Sequence, residues 1–461
     1  MKKRNEEAPV SIGLVSLGCA KNAVDLQVMA GHLVKAGCVL APTSDEADVI
    51  LVNTCAFIES AREEAAAEIL RACELKRAGR CRAVVVSGCF AQRYGDRIRE
   101  AFPGLDAILG IDALDRIVDV VRGAVGAVTP AKARATASRA LPPGMPSRVF
   151  DPPMPALRFT GPAFAYLKIA EGCAHRCAYC AIPGIRGNYR SRRPAAILKE
   201  ARELLATGVR ELNVVAQDPM LYGVDLKNTN LVDLLRRLDR LPGEFWIRVL
   251  YSYPSEISPA FLDWMNTSPH AVKYVDVPLQ HTDPAVLKAM ARGGCVKATR
   301  EASERLRAAV PGVTLRTTVM TGFPGETPEA FDRLLADVKR MKFDHLGCFA
   351  FSPEEGTPAA EMEGRPEAKV AQGRARKVMS AQRRIWSAKA KTHLGRAFRA
   401  LVVAPGVARL ESQAPDVDGV VFLKKPRGRA LPAVGSFCTV RITAVDEYDF
   451  EGLPLADART E

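Results

Sequence analysis

The sequence of 461 residues predicts an α/β fold in three parts. These are an amino-terminal parallel-sheet domain, a central partial (β/α)6 barrel and a small carboxyl-terminal antiparallel β-barrel. Two observations predict this arrangement. Short apolar runs alternate with helix-like segments from residue 11 to residue 351, which is typical of parallel sheets covered by helices. After residue 394 the pattern changes to short β-type runs separated by turns.

The amino-terminal domain is predicted to span residues 10–125. Three apolar runs, Ile12–Leu17, Val49–Val52 and Ala83–Val86, have the length and composition of buried parallel strands. Helix-like segments such as Ala61–Lys76 lie between them. The domain therefore reads as an open α/β sheet, in which ligands bind at the carboxyl ends of the strands.

Each of these three strands is followed closely by a cysteine: Cys19, Cys55 and Cys89. Their spacing of 36 and 34 residues is about one βα unit. Because loops after parallel strands gather at one edge of a sheet, the three thiols are expected to converge. We interpret them as ligands of an iron–sulfur cluster that is one protein ligand short. The alternative is that they are small buried thiols, a common environment for free cysteine.

A linker is predicted at residues 126–158, which are rich in Ala, Pro, Arg and Gly and show no clear period. The central domain is predicted to span residues 159–393 and to end in a basic helix at 365–393. Six strands alternate with helices, too few for a closed eight-stranded barrel, so a curved barrel open on one side is expected. The six strands are Phe164–Ala170, Glu211–Ala216, Trp246–Tyr251, Tyr274–Val277, Val313–Met320 and His345–Phe351.

A second group of cysteines, Cys173, Cys177 and Cys180, lies on one loop directly after the first strand of the central domain. Most 4Fe–4S clusters are held by four cysteines. Three thiolates can hold three irons and leave the fourth free to bind a substrate. A zinc loop is the alternative, but zinc needs a fourth Cys or His with its own spacing. The neighbouring His175 is too close in sequence to complete such a site comfortably.

Composition limits the possible partners. The formal net charge is +13, which favours an anionic partner such as a nucleic acid or a ribonucleoprotein. From Arg365 to His393 there are nine Lys or Arg residues and one acidic residue, Glu367. No apolar run is long enough to span a membrane, and the start of the chain lacks the apolar region of a signal peptide. We therefore expect a cytoplasmic protein that does not contact a membrane.

The C-x3-C-x2-C spacing of the loop, with Tyr179 just before its last cysteine, resembles the radical S-adenosylmethionine (SAM) enzymes. The predicted domain at 394–457, with β-type runs such as Phe398–Val403, resembles a TRAM domain that binds RNA or a ribonucleoprotein. Together with the amino-terminal cysteines, this order of domains resembles the methylthiotransferases over nearly the whole chain. The resemblance implies two 4Fe–4S clusters and SAM as cofactors.

Motifs along the chain resemble the branch of methylthiotransferases that modifies an aspartate of small-subunit ribosomal protein S-twelve, alone or in the ribosomal subunit. Among them are Ser16–Asn22, Leu250–Pro254 and Phe351–Pro358. The resemblance implies that SAM reduction at the loop cluster starts a radical reaction at the aspartate β-carbon, where a methylthio group from the second cluster is added. The chain departs from the expected motifs near Leu26, Pro219 and Gly293, and these departures bear on the substrate.

The resemblance also implies roles for residues other than the cluster cysteines. Tyr179 would pack against the adenine of SAM, or shield the cluster from water. Gly322 and Pro324 lie in a Gly-Phe-Pro-Gly turn that would let the backbone approach SAM. Glu354 and Glu355 are expected to face a basic ribosomal protein. A low-potential electron donor of flavodoxin or ferredoxin type and a monomeric enzyme are expected.

Two other functions remain open from the sequence. A transfer RNA adenosine methylthiotransferase would use the same chemistry on another substrate. A non-catalytic iron–sulfur protein that binds RNA or transfers electrons belongs to a different class. Pure electron transfer prefers fully ligated iron, so the three-cysteine loop argues against it. Cleavage of SAM by the reduced protein would separate an enzyme from a binding protein.

Overall fold

The structure is a computed structural model that describes residues 9–126, 145–152, 157–426 and 428–455. The chain divides into two compact units. Unit 1 comprises residues 1–159, 171–175 and 180–192, and unit 2 comprises residues 160–170, 176–179 and 193–461. Much of the predicted linker, residues 127–144 and 153–156, lies outside the described residues. The predicted domain boundaries therefore stay a prediction.

Unit 1 contains a five-stranded parallel sheet, which confirms the predicted parallel-sheet domain. Its strands, in spatial order, are Val39–Leu40, Ser11–Ser16, Val49–Thr54, Ala83–Gly88 and Ala107–Leu109. Its helical segments are Ala20–Lys35, Ser44–Glu46, Glu59–Arg77, Cys89–Tyr94, Asp96–Ala101, Ile111–Arg116, Ile117–Ala124 and Ile182–Arg186. A short two-stranded pairing joins Ala170–Glu171 and Arg190–Ser191.

The two faces of this sheet are both buried, because alternate residues of the central strands point to opposite sides. Val49 and Leu51 pack on one face with the helices Ala20–Lys35 and Ile117–Ala124. Ile50 and Val52 pack on the other face, where Ile69 of the helix Glu59–Arg77 covers them. This two-sided burial explains why the strands have continuous apolar sequences rather than alternating ones.

Unit 2 contains six parallel strands in two three-stranded sheets, as expected of an incomplete (β/α)6 barrel. The first sheet has the order Trp246–Val249, Glu211–Val215, Phe164–Lys168, and the second has the order Tyr274–Asp276, Thr314–Thr321, His345–Ala350. Backbone hydrogen bonds from Ile247 N to His270 O (2.7 Å) and from Val272 N to Ile247 O (3.0 Å) join the two sheets. The helical segments of this part are Pro194–Ala206, Pro219–Leu221, Leu231–Leu238, Pro259–Thr267, Pro284–Ala289, Gly293–Cys295, Val296–Ala309, Pro328–Met341, Pro358–Ala360 and Ala368–Lys391.

The remaining strands of unit 2 form a small closed barrel, which confirms the predicted carboxyl-terminal fold. In spatial order they are Ala397–Ala404, Val407–Leu410, Val421–Leu423, Asp449–Pro454 and Phe437–Asp446. Four of the neighbouring pairs are antiparallel, and the pair Val421–Leu423 with Asp449–Pro454 is parallel. Trp386 of the long helix packs into this barrel and donates a hydrogen bond from Nε1 to Glu447 O at 2.6 Å.

Buried polar contacts attach the small barrel to the amino ends of the strands of the partial (β/α)6 barrel. Glu211, the first residue of its strand, accepts hydrogen bonds from Arg248 (2.8 Å) and from Arg409 of the small barrel. Tyr274, also first in its strand, donates to Asp418 Oδ2 at 2.6 Å. The small barrel is thus attached at the amino ends of these strands. The loops that bear Cys177 and Gly322 follow the opposite, carboxyl ends.

Candidate metal centres

The three cysteines of the amino-terminal sheet follow adjacent strands at nearly the same level. Ser16 pairs with Asn53, and Asn53 pairs with Ser87, so these residues are level across the sheet. Cys19, Cys55 and Cys89 therefore follow the aligned residues by only two or three positions. The predicted convergence at the carboxyl edge is present in the structure.

Glycines allow the loops to close around these thiols. Gly18 has a φ of +92°, and a Cβ on it would lie 2.8 Å from Cys55 Cβ and 3.3 Å from Cys55 Sγ. Gly88 also has a φ of +92°, and its Cβ would lie 2.4 Å from the carbonyl oxygen of Thr54. Residues that carry a Cβ rarely adopt this backbone conformation, so glycine satisfies both the conformational and the steric requirement at these positions. Two loops thereby approach Cys55 and the strand that precedes it.

The local electrostatics differ among the three thiols. Cys19 is exposed at the surface, but the protein atoms packed around it would still raise its pKa by desolvation; the charges of Lys21 and Arg186 and nearby backbone N–H groups outweigh this and lower the pKa overall. Cys19 also caps the helix Ala20–Lys35, where a thiolate is favoured by the helix dipole. Burial raises the pKa of Cys89 to about 12, and the neighbouring thiols Cys19 and Cys55 add to the shift. Burial likewise raises the pKa of Cys55.

Asn22 ties this edge together and was not singled out by the sequence analysis. Its Nδ2 donates to Leu17 O (2.9 Å) and Thr54 O (2.8 Å), and its Oδ1 lies 3.7 Å from Cys89 Sγ. Its backbone carbonyl accepts a hydrogen bond from Asn53 Nδ2 at 2.8 Å. The signal for Asn22 was its place in the motif Ser16–Asn22, but that motif did not indicate what the side chain contacts.

The cysteine loop of the central domain is held at both ends. Gly172 has a φ of +71°, and a Cβ on it would lie 2.0 Å from Asn188 O. The backbone N–H of Cys173 donates to Gly187 O at 3.1 Å. In unit 2, Ala178 N donates to Met290 O at 3.0 Å. Cys173 and Cys177 are buried, whereas Cys180 is partly exposed.

A buried arginine contacts this loop and was also missed by the sequence analysis. Arg292 Nη1 lies 3.6 Å from Cys177 Sγ, and Nη2 donates to Pro278 O at 2.9 Å. The guanidinium also lies over the ring of Tyr253, 4.1 Å from its centroid. Burial opposes the charge of Arg292, but Tyr179, Cys177 and Tyr253 raise its pKa overall. The chain departs from the expected motif near Gly293, yet the preceding residue, Arg292, lies at the thiol of Cys177.

The other predicted site residues have structural neighbours that were not foreseen. Tyr179 packs edge-on against Phe323, with ring centroids 6.5 Å apart. Gly322 has a φ of +76°, and a Cβ on it would lie 2.2 Å from Ala371 Cβ, so glycine is needed there for helix packing. Gly322 N also donates to Glu326, and Pro324 is buried. Contact of Tyr179, Gly322 and Pro324 with SAM stays a prediction.

The structure shows which of the remaining polar and thiol side chains are buried and which are exposed. Glu354 is buried and accepts a hydrogen bond from Ser352 Oγ at 3.0 Å, so the expectation that it faces a partner is wrong. Glu355 is exposed. Cys295, in a glycine-rich turn, is buried with its Sγ 3.6 Å from Ser255 Oγ. The remaining cysteines lie within or against apolar clusters: Cys38, Cys73, Cys81, Cys348 and Cys438.

The donor sets fit iron–sulfur clusters better than single ions. Among the described residues, no group of three or more His, Cys, Asp or Glu side chains is arranged to hold one shared metal ion. A cubane differs because each thiolate binds a different iron. Cys19, Cys55 and Cys89 are three thiols at an edge where Gly18 and Gly88 allow close approach, a donor set of the kind a cubane takes, and their role as its ligands stays a prediction. Within the described residues, no helix has both the length and the apolar character needed to cross a membrane.

Comparison with known proteins defines the class first. Family models match residues 11–110 (Uncharacterized protein family UPF0004), residues 167–338 (Radical SAM superfamily) and residues 400–454 (TRAM domain). The fold is similar to a radical S-adenosylmethionine methyltransferase, TsrM, from Kitasatospora setae, solved with cobalamin and a [4Fe-4S] cluster bound. The TM-score is 0.57 at 17% identity, covering 76% of this chain and 74% of that one. The chain is a radical SAM enzyme with a TRAM domain.

Curated relatives then define the family. A ribosomal protein uS12 methylthiotransferase RimO from Syntrophus aciditrophicus is 42% identical over 447 residues, covering 95% of this chain and 97% of the relative. Proteins of the same name from Desulforudis audaxviator (42%) and Opitutus terrae (37%) each cover 96% of this chain and 97% of their own length. The chain belongs to the RimO family of radical SAM methylthiotransferases, which use SAM and 4Fe–4S clusters.

Proposed function

We propose that the protein adds a methylthio group to the β-carbon of an aspartate in ribosomal protein uS12, the small-subunit protein S-twelve. The observation that carries the proposal is the presence of two separate groups of three cysteines. One group lies on a single loop, and the other gathers at the carboxyl edge of adjacent strands. The relatives that share nearly the full length of the chain are named for this substrate.

The two groups are assigned different roles. Cys173, Cys177 and Cys180 would hold the cluster that binds SAM, and Cys19, Cys55 and Cys89 would hold the auxiliary cluster. When bound, these cofactors supply the one-electron reduction of SAM and the sulfur that is transferred. The protein's contribution is to hold the thiols in place. Tyr179, Gly322 and Pro324 are proposed to line the SAM site from the loop and from the turn after Thr314–Thr321.

A ribosomal partner suits the surface of the long helix Ala368–Lys391. A groove of about 540 Å³ between this helix and Pro328–Met341 is lined by four exposed cations. These cations are Lys339, Arg376, Lys377 and Arg384. None of the described residues that line the groove is acidic. Such a surface suits the phosphates of ribosomal RNA, which would surround uS12 in the small subunit.

The cellular setting is also proposed. A reductive step needs a low-potential electron donor of flavodoxin or ferredoxin type. Because the substrate belongs to the ribosome, the enzyme is placed in the cytoplasm. We propose that it acts as a monomer.

Mass spectrometry of uS12 and of transfer RNA from a strain lacking the gene tests the substrate. Loss of an aspartate methylthio mark on uS12, restored by the native gene, is expected. Complementation with a variant carrying Cys19→Ala, Cys55→Ala and Cys89→Ala should leave uS12 unmodified. A methylthioadenosine in transfer RNA that disappears with the gene would instead assign the RNA substrate.

A second test concerns the basic groove. Replacing Arg376, Lys377 and Arg384 by Gln should weaken modification of uS12 in assembled small subunits while leaving SAM cleavage without substrate unchanged. The matched control replaces Arg236, Arg237 and Arg240, on another helix and its end, by Gln. Equal modification by the groove variant and the control would remove the groove from the proposal.

A further inference from the structure

One arginine lies buried among the acidic and sulfur groups of unit 1. Arg186 is 1% exposed. Its Nη1 donates to Glu171 Oε2 at 2.9 Å, and its Nη2 donates to Asp25 Oδ2 at 2.8 Å and to Asn22 Oδ1 at 2.9 Å. Two carboxylates thus orient one guanidinium from different directions. We call these four residues the Arg186 network.

The same guanidinium acts on the cysteines at the sheet edge. Its positive charge favours the thiolate forms of Cys89, Cys19 and Cys55. Asn22 Oδ1 is shared between Arg186 and the thiol of Cys89. Ala181 and Ile185, which flank the turn leading to Arg186, pack against Cys89 and Ala56. Arg186 is therefore held beside the thiols by both polar and apolar contacts.

The position of Arg186 in the chain adds a second observation. It ends the short helix Ile182–Arg186, which begins two residues after Cys180. Its partner Glu171 lies two residues before Cys173. The Arg186–Glu171 pair therefore closes the base of the cysteine loop, while Asp25 and Asn22 belong to the helix that Cys19 begins. The Arg186 network thus links the base of the cysteine loop to the helix that follows Cys19.

We propose that Arg186 is a positioning residue for the auxiliary cluster, balancing the negative charge of the thiolates of Cys19, Cys55 and Cys89 and raising the reduction potential of that cluster. The inference rests on the proposed assignment of these three cysteines as cluster ligands. The potential of an iron–sulfur cluster depends on its net charge and on hydrogen bonds to its sulfurs. A fixed cation nearby favours the reduced, more negative state. Glu171 and Asp25 orient the guanidinium.

Arginine suits this role better than lysine would. Its planar group reaches Glu171, Asp25 and Asn22 at the same time and stays charged when buried. Lysine keeps the charge but cannot make this set of bonds. The variant Arg186→Lys therefore separates charge from geometry, and Arg186→Gln removes the charge while retaining polarity.

The experiment uses the full-length chain with Cys173→Ala, Cys177→Ala and Cys180→Ala, so that only the auxiliary cluster gives a signal. After anaerobic reconstitution, iron content and the midpoint potential from a redox titration followed by electron paramagnetic resonance are measured. With native Arg186, about four irons are expected. Arg186→Gln should shift the midpoint to lower potential. Arg186→Lys, which keeps the charge, should have a midpoint close to that of native Arg186.

Asp25→Asn is the control that separates charge from structure. It breaks the same network but removes a negative charge, so it should shift the midpoint to higher potential. A network with only a structural role would move both variants in the same direction or neither. An unchanged midpoint in Arg186→Gln, or a lowered one in Asp25→Asn, would overturn the proposal. If Arg186→Gln does not hold the cluster, the midpoints of the other two variants test the proposal. Asp25→Asn is then expected above the native midpoint and Arg186→Lys close to it.

The parent protein distinguishes this failure from failure of the proposed function. If the chain with native Arg186 and without the loop cysteines binds no iron, the assignment of Cys19, Cys55 and Cys89 is wrong. If it binds about four irons and the midpoint does not respond to Arg186→Gln, only the role of Arg186 is wrong.

Discussion

The two cysteine groups reach similar donor sets by different routes. Cys173, Cys177 and Cys180 are close because they are neighbours on one loop. Cys19, Cys55 and Cys89 are far apart in sequence and come together because three parallel strands are adjacent and in register. The first group depends on the conformation of about ten residues, whereas the second depends on the folding of a whole sheet. Damage to the sheet should therefore affect the two groups unequally.

Each group also has its own buried arginine. Arg292 lies 3.6 Å from the thiol of Cys177 in unit 2, and in unit 1 Arg186 shares Asn22 Oδ1 with the thiol of Cys89. Arg292 is held mainly by a backbone carbonyl and an aromatic ring, whereas Arg186 is held by two carboxylates.

The largest expected effect separates the groups by iron content. The native protein, reconstituted anaerobically, should hold about eight irons in two four-iron clusters. Replacing Cys173, Cys177 and Cys180 by Ala should leave about four and abolish SAM cleavage. Replacing Cys19, Cys55 and Cys89 by Ala should also leave about four but retain measurable reductive SAM cleavage while stopping methylthio transfer.

A matched control for both triple variants replaces Cys38, Cys73 and Cys81, which lie in or against the apolar clusters of unit 1. Iron content and both activities should stay near native values in this control. An unchanged iron count in the loop variant, or full methylthio transfer by the sheet-edge variant, would contradict the assignment.

A change remote from both groups should lower stability without lowering iron content. Glu211→Gln would leave Arg248 and Arg409 with one neutral partner in a buried site, where breaking an ion pair costs about 3–5 kcal/mol. Guanidinium unfolding of the reconstituted protein measures this loss. Glu244→Gln breaks the exposed pair with Arg399 and should cost less than about 1 kcal/mol. Loss of iron from folded Glu211→Gln protein would show that the small barrel supports a cysteine group.

The loop group can be disturbed by a single glycine. Gly172→Ala would place a Cβ 2.0 Å from Asn188 O at a φ of +71°, so it combines strain with a backbone clash. We expect a loss of at least about 2 kcal/mol and selective loss of the loop cluster. Gly184→Ala, in the helix that follows, meets nothing within 4 Å and should be nearly neutral. Selective loss is measured as SAM cleavage falling while about half of the iron remains.

The sheet-edge group offers the closest matched pair. Gly18 and Gly37 have nearly equal φ angles, +92° and +90°, but only Gly18 faces Cys55, while Gly37 faces open space. Both alanine variants place a Cβ on a residue with a positive φ. Gly18→Ala should be less stable than Gly37→Ala by about 1–3 kcal/mol and should hold the auxiliary cluster less well. Equal stability and equal iron content in the two variants would mean that Gly18 has no steric role at Cys55.

Much of the architecture could be predicted from local pattern. The apolar runs located the three cysteine-bearing strands of unit 1 and all six strands of the partial barrel, because buried parallel strands are continuously apolar. The short strands Val39–Leu40 and Ala107–Leu109 were missed, since two or three residues carry too little signal. Glu354 was misjudged because an acidic residue in a loop is usually exposed, whereas here the carboxylate is buried and accepts a hydrogen bond from Ser352.

The sequence by itself determined the C-x3-C-x2-C loop, since three thiols within eight residues are neighbours in any compact loop. It also determined which strands carry Cys19, Cys55 and Cys89. Only the tertiary structure decided that these strands are adjacent and level, because strand order depends on how distant segments pack. The partners of Arg186 were likewise decided by folding, since Asp25 lies 161 residues away along the chain. A buried guanidinium needs several acceptors at once, and only a folded chain brings them together.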